Sequence, residues 1–398
     1  MRQRNGQTRS CAAALAFVIV LSSACDVRDE SDAAASDGTW TATTAWQLSG
    51  PVLDLAERAG DPSYEFTGVR AAFQLEDGRI VATNTTRPPQ VRVYRPDGSL
   101  DWVTGREGEG PGEFTAVFWA ARAGIDTLIV HDPIQGRSTL LSLSSGDVLE
   151  IVNLRQPVPG EVPERVAVLG RFADGTYLAF PNRYFPDGPQ EYGRLSALVL
   201  RTELNGTIVD TIGYLPWADF VPGEEGRRTM ALFEQQAVAV PFGNRMLHGL
   251  ADDFAVQVYG VDGTLDGEFR RPFTPRPVTE AILSAAEEKE LERVQGPEAD
   301  MWRAQIASRY HQGPRADALP AYQRFLIDAA DHVWIQHYLA PGDSVVVWSV
   351  FSPGSAFLGE VEVPAALRLH DIGTSRAVGV WTDQFDVQTL RVYEIMKP

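Results

Sequence analysis

The chain predicts an all-β fold, a six-bladed β-propeller of four-stranded antiparallel blades, from three observations. A hairpin is written twice, a strand–turn–strand element recurs upstream of it, and the spacing between the two is nearly constant. The hairpins are Gln90–Leu100 and Ala255–Leu265, each alternating apolar and polar residues before an Asp-Gly pair, Asp97-Gly98 and Asp262-Gly263. Alternation marks a half-buried strand and Asp-Gly suits a tight turn. The upstream element stands at Ala72–Ala82, Gly170–Ala179 and Phe325–Ile335, with weaker copies turning at Gly124, Gly243 and Gly373.

First turn to second turn runs Gly78 to Gly98, Gly124 to Gly146, Gly175 to Gly206, Gly243 to Gly263 and Asp331 to Gly354. Four of these five spacings lie between 20 and 23 positions, which is one strand, a connection and another strand. Each unit therefore supplies four strands, and six first turns give six units, the pattern of a propeller. The sixth unit is short of an outermost strand, because Thr389–Ile395 ends the chain. The segment Trp46–Leu55, ahead of the first unit, is expected to fill that place and so remove the last open sheet edge.

Residues 1–24 read as an export signal: Arg2, Arg4 and Arg9 precede an apolar stretch from Cys11 to Leu21 that is too short to span a bilayer. Leu21-Ser-Ser-Ala-Cys25 resembles the lipobox of bacterial lipoproteins, with the Leu four rather than three positions before the Cys. The resemblance implies lipidation of Cys25 and a membrane-anchored protein on the periplasmic or cell-surface side; ordinary cleavage nearby would instead leave a soluble secreted chain. Residues 25–39 read as the lipidated Cys with a flexible acidic tether, and 40–398 as the propeller. Cys11 and Cys25 are the only cysteines, so the folded part relies on core packing rather than disulfides. The formal charge is −18, and cleavage removes three Arg and no acid. Such acidity argues against nucleic acid as a partner, which needs a net basic footprint.

Tyr94–Leu100 followed by Gly105–Phe114 resembles the GxxGxGPGEF signature of six-bladed β-propeller lipoproteins, relatives of NHL-repeat propellers. The stretches Leu319–Trp334 and Leu390–Ile395 fit the same pattern, and the likeness spans roughly 46 to 396. It implies a fold and almost nothing about activity, since propellers host many unrelated functions.

In a four-stranded meander the first and third turns of each blade lie on one face, and the remaining loops and interblade links on the other. The first set here is short. The second holds every long insertion: Pro181 to Arg194, Tyr214 to Glu234 and Arg271 to Ala318. Long loops gathered on one face are where function is expected. The third insertion predicts helix over about 276–312: Thr279–Arg293 has high helix propensity, a Thr cap, an early Glu and Gly296-Pro297 behind it, and Asp300–Tyr310 predicts a second helix. The pair could form a lid over the channel mouth or cover the outer rim.

The Gly105–Phe114 stretch carries Glu107, Glu109 and Glu113, oxygen donors for a hard cation such as Ca²⁺. The structural expectation is stronger: glycines in an interblade link, Phe114 plugging the core, Arg106 paired with a Glu. No HxH, HExxH, Gly-x-Ser-x-Gly, phosphate-loop or dinucleotide pattern occurs, so no cofactor is implied. Aligned second strands end in Asn84, Asp132 and His337, which could converge on a divalent metal, as Glu, Asn and Asp do in six-bladed lactonases. Blades three, four and six offer Pro181, Leu250 and Trp381 at that place. Aromatic and Arg residues on the insertions form the expected recognition surface: Arg183, Tyr184, Phe185, Tyr192, Trp217, Trp302, Arg303, Tyr310 and His311. The reading is a non-catalytic binding module for an envelope protein, peptide or glycan. A metal-dependent hydrolase or lactonase and an envelope-assembly scaffold are the alternatives.

Overall fold

The computed structural model describes residues 46–58, 60–85, 88–154, 166–181, 192–223 and 228–396; Cys25, Arg183, Tyr184 and Phe185 lie outside them. The described strands form six antiparallel sheets. Blade one holds β2 (Val69–Gln74), β3 (Ile80–Asn84), β4 (Gln90–Tyr94) and β5 (Leu100–Thr104). Blade two holds β6 (Trp119–Arg122), β7 (Thr127–Asp132), β8 (Arg137–Ser142) and β9 (Val148–Asn153). Blade three holds β10 (Val166–Arg171), β11 (Tyr177–Pro181), β12 (Gly193–Thr202), β13 (Ile208–Pro222) and a short fifth strand, β14 (Arg228–Thr229). Blade four holds β15 (Val238–Phe242), β16 (Arg245–Gly249), β17 (Ala255–Gly260) and β18 (Leu265–Arg270). Blade five holds β19 (Tyr322–Ile327), β20 (Val333–His337), β21 (Val345–Phe351) and β22 (Phe357–Pro364). Blade six joins β23 (Leu367–Ile372), β24 (Arg376–Thr382) and β25 (Gln388–Met396) to β1 (Gln47–Asp54).

The innermost strands β2, β6, β10, β15, β19 and β23 pack each against the next, and β23 returns to β2, so the ring is closed. Closure comes from the N-terminal strand, as the strand count requires: Gln47 pairs with Met396 and Asp54 with Arg391. Trp46 anchors it, edge-on to Trp334 at 5.2 Å and to His332 at 5.3 Å. Side chains of neighbouring blades interleave in six hydrophobic layers, one per interface, rather than in a single central core.

Turn chemistry accounts for the repeated hairpin. Gly98, Gly146, Gly206 and Gly263 take φ of 80, 77, 84 and 83°, a region open to glycine. Asp97 and Asp262 each accept the N–H two residues on, Ser99 N at 2.9 Å and Thr264 N at 3.0 Å.

Two elements project from the long-loop face. β12 and β13 run on past β11, pairing Gly193 with Phe220 and Leu198 with Tyr214, so the expected loop at Tyr214 to Glu234 begins as strand. Register shifts between Leu195/Ser196, Val199/Leu200 and Arg201/Thr202 break the alternation there and hide the strand from periodicity. Between blades four and five stand α1 (Glu280–Leu291) and α2 (Ala299–Gln312), with Thr279 Oγ1 accepting Ile282 N at 3.3 Å as the cap. Among the described residues no helix is long and apolar enough to cross a membrane.

Candidate functional site

The two projections hold each other. Leu232 N donates to Pro314 O at 2.8 Å and Ala316 N to Leu232 O at 2.9 Å, tying the blade three–four link to the chain leaving α2. Beneath, Ile282 of α1 packs on Leu319 and Ala340, joined by Phe233, Val278 and Tyr338, which fixes the helices to blade five. Between helices, ribbon and propeller lies a cleft of about 1720 Å³, lined among others by Arg228, Phe233, Trp302, Tyr310 and Tyr338.

Its electrostatics run against those of the chain. Among the described residues of its lining, four cations, Arg228, Lys289, Arg293 and Arg309, face two carboxylates, Glu234 and Glu290, and Glu290 is already paired with Arg309. Burial, reinforced by the neighbouring Asp219, raises the Glu234 carboxyl. Arg309 also covers the Tyr310 ring at 5.3 Å, and burial raises that phenol. Trp302 keeps 47% of its surface exposed within the cleft wall. A broad, net cationic cleft with an open indole suits a polar, acidic, extended ligand, because stacking and charge-assisted hydrogen bonds both work there.

The residues expected from sequence separate into groups. Trp302 and Tyr310 line the cleft. Arg303 and His311 lie on α2 but outside it, Arg303 with Asp300 at 3.2 Å and His311 Nε2 with Glu287 at 3.3 Å. Tyr192 is exposed, whereas Trp217 is buried against Phe180 with ring centroids 4.4 Å apart and docks the ribbon on the blade.

Asn84, Asp132 and His337 each bond within their own surroundings. Asn84 Oδ1 accepts Thr67 N at 2.5 Å and its amide donates to Pro88 O at 2.8 Å. Asp132 accepts four backbone amides: Thr115 at 2.7 Å, Ala116 at 3.1 Å, and Ile134 and Gln135 at 3.0 Å each. Both therefore fasten the chain entering the inner strand of their blade. His337 Nε2 lies 2.8 Å from Ser349 Oγ, which Arg271 also contacts at 2.7 Å while pairing with Glu360. Burial first, then the Arg271 charge, holds His337 down at about 4. Among the described residues no group of three or more His, Cys, Asp or Glu could hold a metal ion.

The glycine-rich link behaves as a structural joint. Phe114 is fully buried, Arg106 Nε bonds Glu113 at 2.8 Å, and Gly105, Gly108 and Gly112 take φ of 126, 151 and 71°. Arg137 closes it by donating to the carbonyls of Glu109, Gly110 and Glu113 at 2.7, 2.8 and 2.7 Å.

Sequence reasoning missed the cations of the cleft and those of the inner strands, Arg70, Arg324 and Arg368. The available signal was a lone Arg in each otherwise mostly apolar strand of an acidic protein.

The fold and cleft thus define a six-bladed β-propeller with a helix-and-ribbon superstructure on one face. No protein-family model matches the chain, and no curated protein matches it. Among solved structures it is similar to a member of the DUF4221 family from Bacteroides vulgatus, at 11% identity over 85% of this chain and 95% of that one, with a TM-score of 0.51. A protein from Bacteroides fragilis follows at 10% identity over 87% and 94%, TM-score 0.48. The calcium-binding regucalcin from Agrobacterium tumefaciens stands at 10% over 88% and 96%, TM-score 0.42. At such identities the likeness speaks to the fold alone.

Proposed function

We propose that the protein is an exported, lipid-anchored binding module of the GxxGxGPGEF propeller lipoprotein type, which takes an acidic peptide or glycan at the cell envelope in the cleft beneath α1 and α2. The observation that carries this reading is the convergence of two separate insertions into one cleft whose described lining is net cationic, on a strongly acidic chain. Folding alone requires neither insertion, and neither the helices nor the ribbon adds to the ring. Ligand capture there needs no catalytic group.

Binding to acidic and neutral glycan and peptide arrays tests it, with Trp302→Ala and Arg293→Ala as variants on the cleft wall. Acidic probes should bind, and each variant should weaken binding about tenfold with an unchanged melting temperature. Absence of acidic hits, or binding indifferent to both variants, would overturn the reading. The anchor is tested separately by labelling cells with an alkyne fatty acid: the wild type should incorporate label and Cys25→Ser should not.

A further inference from the structure

The inner strands of blades five, six and one bring three arginines together: Arg324 on β19, Arg368 on β23 and Arg70 on β2. All three stand in the first half of their strands, toward the insertion-bearing end of the axis. Arg324 donates to the Leu369 carbonyl across the blade five–six interface. The Arg70 guanidinium sits 5.2 Å over the Phe118 ring, toward blade two. Among the described residues the Arg368 side chain makes no hydrogen bond, and none of the three is ion-paired.

Between them stands His370, which no residue opposes across the sheet: Leu369 pairs with Gly379 and Asp371 with Val378. Such a β-bulge re-aims its extra side chain. The His370 Nε2 is buried without a partner. The nearest carboxylate on the strand, Asp371, is turned away to accept Gln74 N at 2.9 Å. Burial first, then the charge of Arg368, brings Arg324 down to about 9, and burial with the charge of Arg70 lowers Arg368. His370 is held well below its ordinary value by burial and by the same arginines. Yet Arg70 and Arg368 stay exposed and Arg324 and His370 half-buried, as walls of an open axial channel would be. Arginines brought together with no counter-charge among the described residues are unusual in a folded protein, and rarer in one of net charge −18.

We infer that the insertion-face end of the axial channel binds a small oxyanion, a phosphate or carboxylate group, with Arg70, Arg324 and Arg368 supplying the charge. The site is separate from the cleft and does not rest on the reading given for it.

Titration calorimetry of the exported chain at low salt tests this, with inorganic phosphate, lactate and propionate as probes. Phosphate or one of the two carboxylates should bind, whichever binds naming the source. Arg368→Gln should weaken binding at least about tenfold, the loss of one charge-assisted contact. Its melting temperature without anion should hold or rise, since the substitution breaks no bond and removes repulsion. Trp302→Ala should bind the anion as the wild type does. No binding of phosphate, lactate or propionate, or binding unchanged in Arg368→Gln, would overturn the inference.

Discussion

Lowering the pH from about 7.5 to about 5 should destabilise the propeller through the histidines that burial holds low, His337 and His370 included, and His131 and His248 show the size of the effect per residue. His131 on β7 and His248 on β16 are each 1% exposed. Burial brings both from 6.5 down to about 4. In the unfolded chain they titrate near 6.5, so between these values the unfolded state holds more protons, and stability falls as pH falls through that window. At about 1.4 kcal/mol per pH unit of difference, each contributes a loss of about 2 kcal/mol by pH 5, and the pair about 4 kcal/mol. Against a typical total of roughly 5–15 kcal/mol this is a large share. Urea unfolding at the two pH values measures it. In His131→Gln and His248→Gln the wild-type difference between the two pH values should shrink by about 2 kcal/mol each, whatever either substitution does at neutral pH. Variants that keep the full wild-type difference would refute the reasoning, because the protons would then be taken up elsewhere.

Other substitutions probe the scaffold, with stability read by urea or thermal unfolding. Trp46→Ala should destabilise by roughly 3–5 kcal/mol, since it empties the contact on Trp334 that seats the closing strand. Asp132→Ala leaves four backbone amides without their acceptor and should cost about 3 kcal/mol. Gly263→Ala puts a methyl 2.1 Å from the Ile212 carbonyl at a φ of 83° and should cost at least about 1–3 kcal/mol, whereas Gly267→Ala, with open space around it, should be far milder.

The blades were legible in the chain because their determinants are local. Asp97 and Asp262 bond amides two residues away, and alternation shows in any short window. Ring closure was legible too, since a missing strand at one end and a spare strand at the other have one economical solution. The ribbon was not, because its register shifts, Gly213 and Pro216 disguise strand as loop. At Asn84 and Asp132 the sequence gives position but not aim, and these short side chains turn to nearby backbone amides. Arg70 is remote in sequence from Arg324 and Arg368, and only the closing of blades five, six and one into neighbours makes them a group.

The pairing of β1 with β25 also orients the molecule. Gln47 lies beside Met396, at the face of the short turns, and β1 then runs toward the face of the insertions. Trp46 therefore enters at the short-turn face, at the rim of blade six, and the cleft and the arginine end of the axis lie on the opposite face.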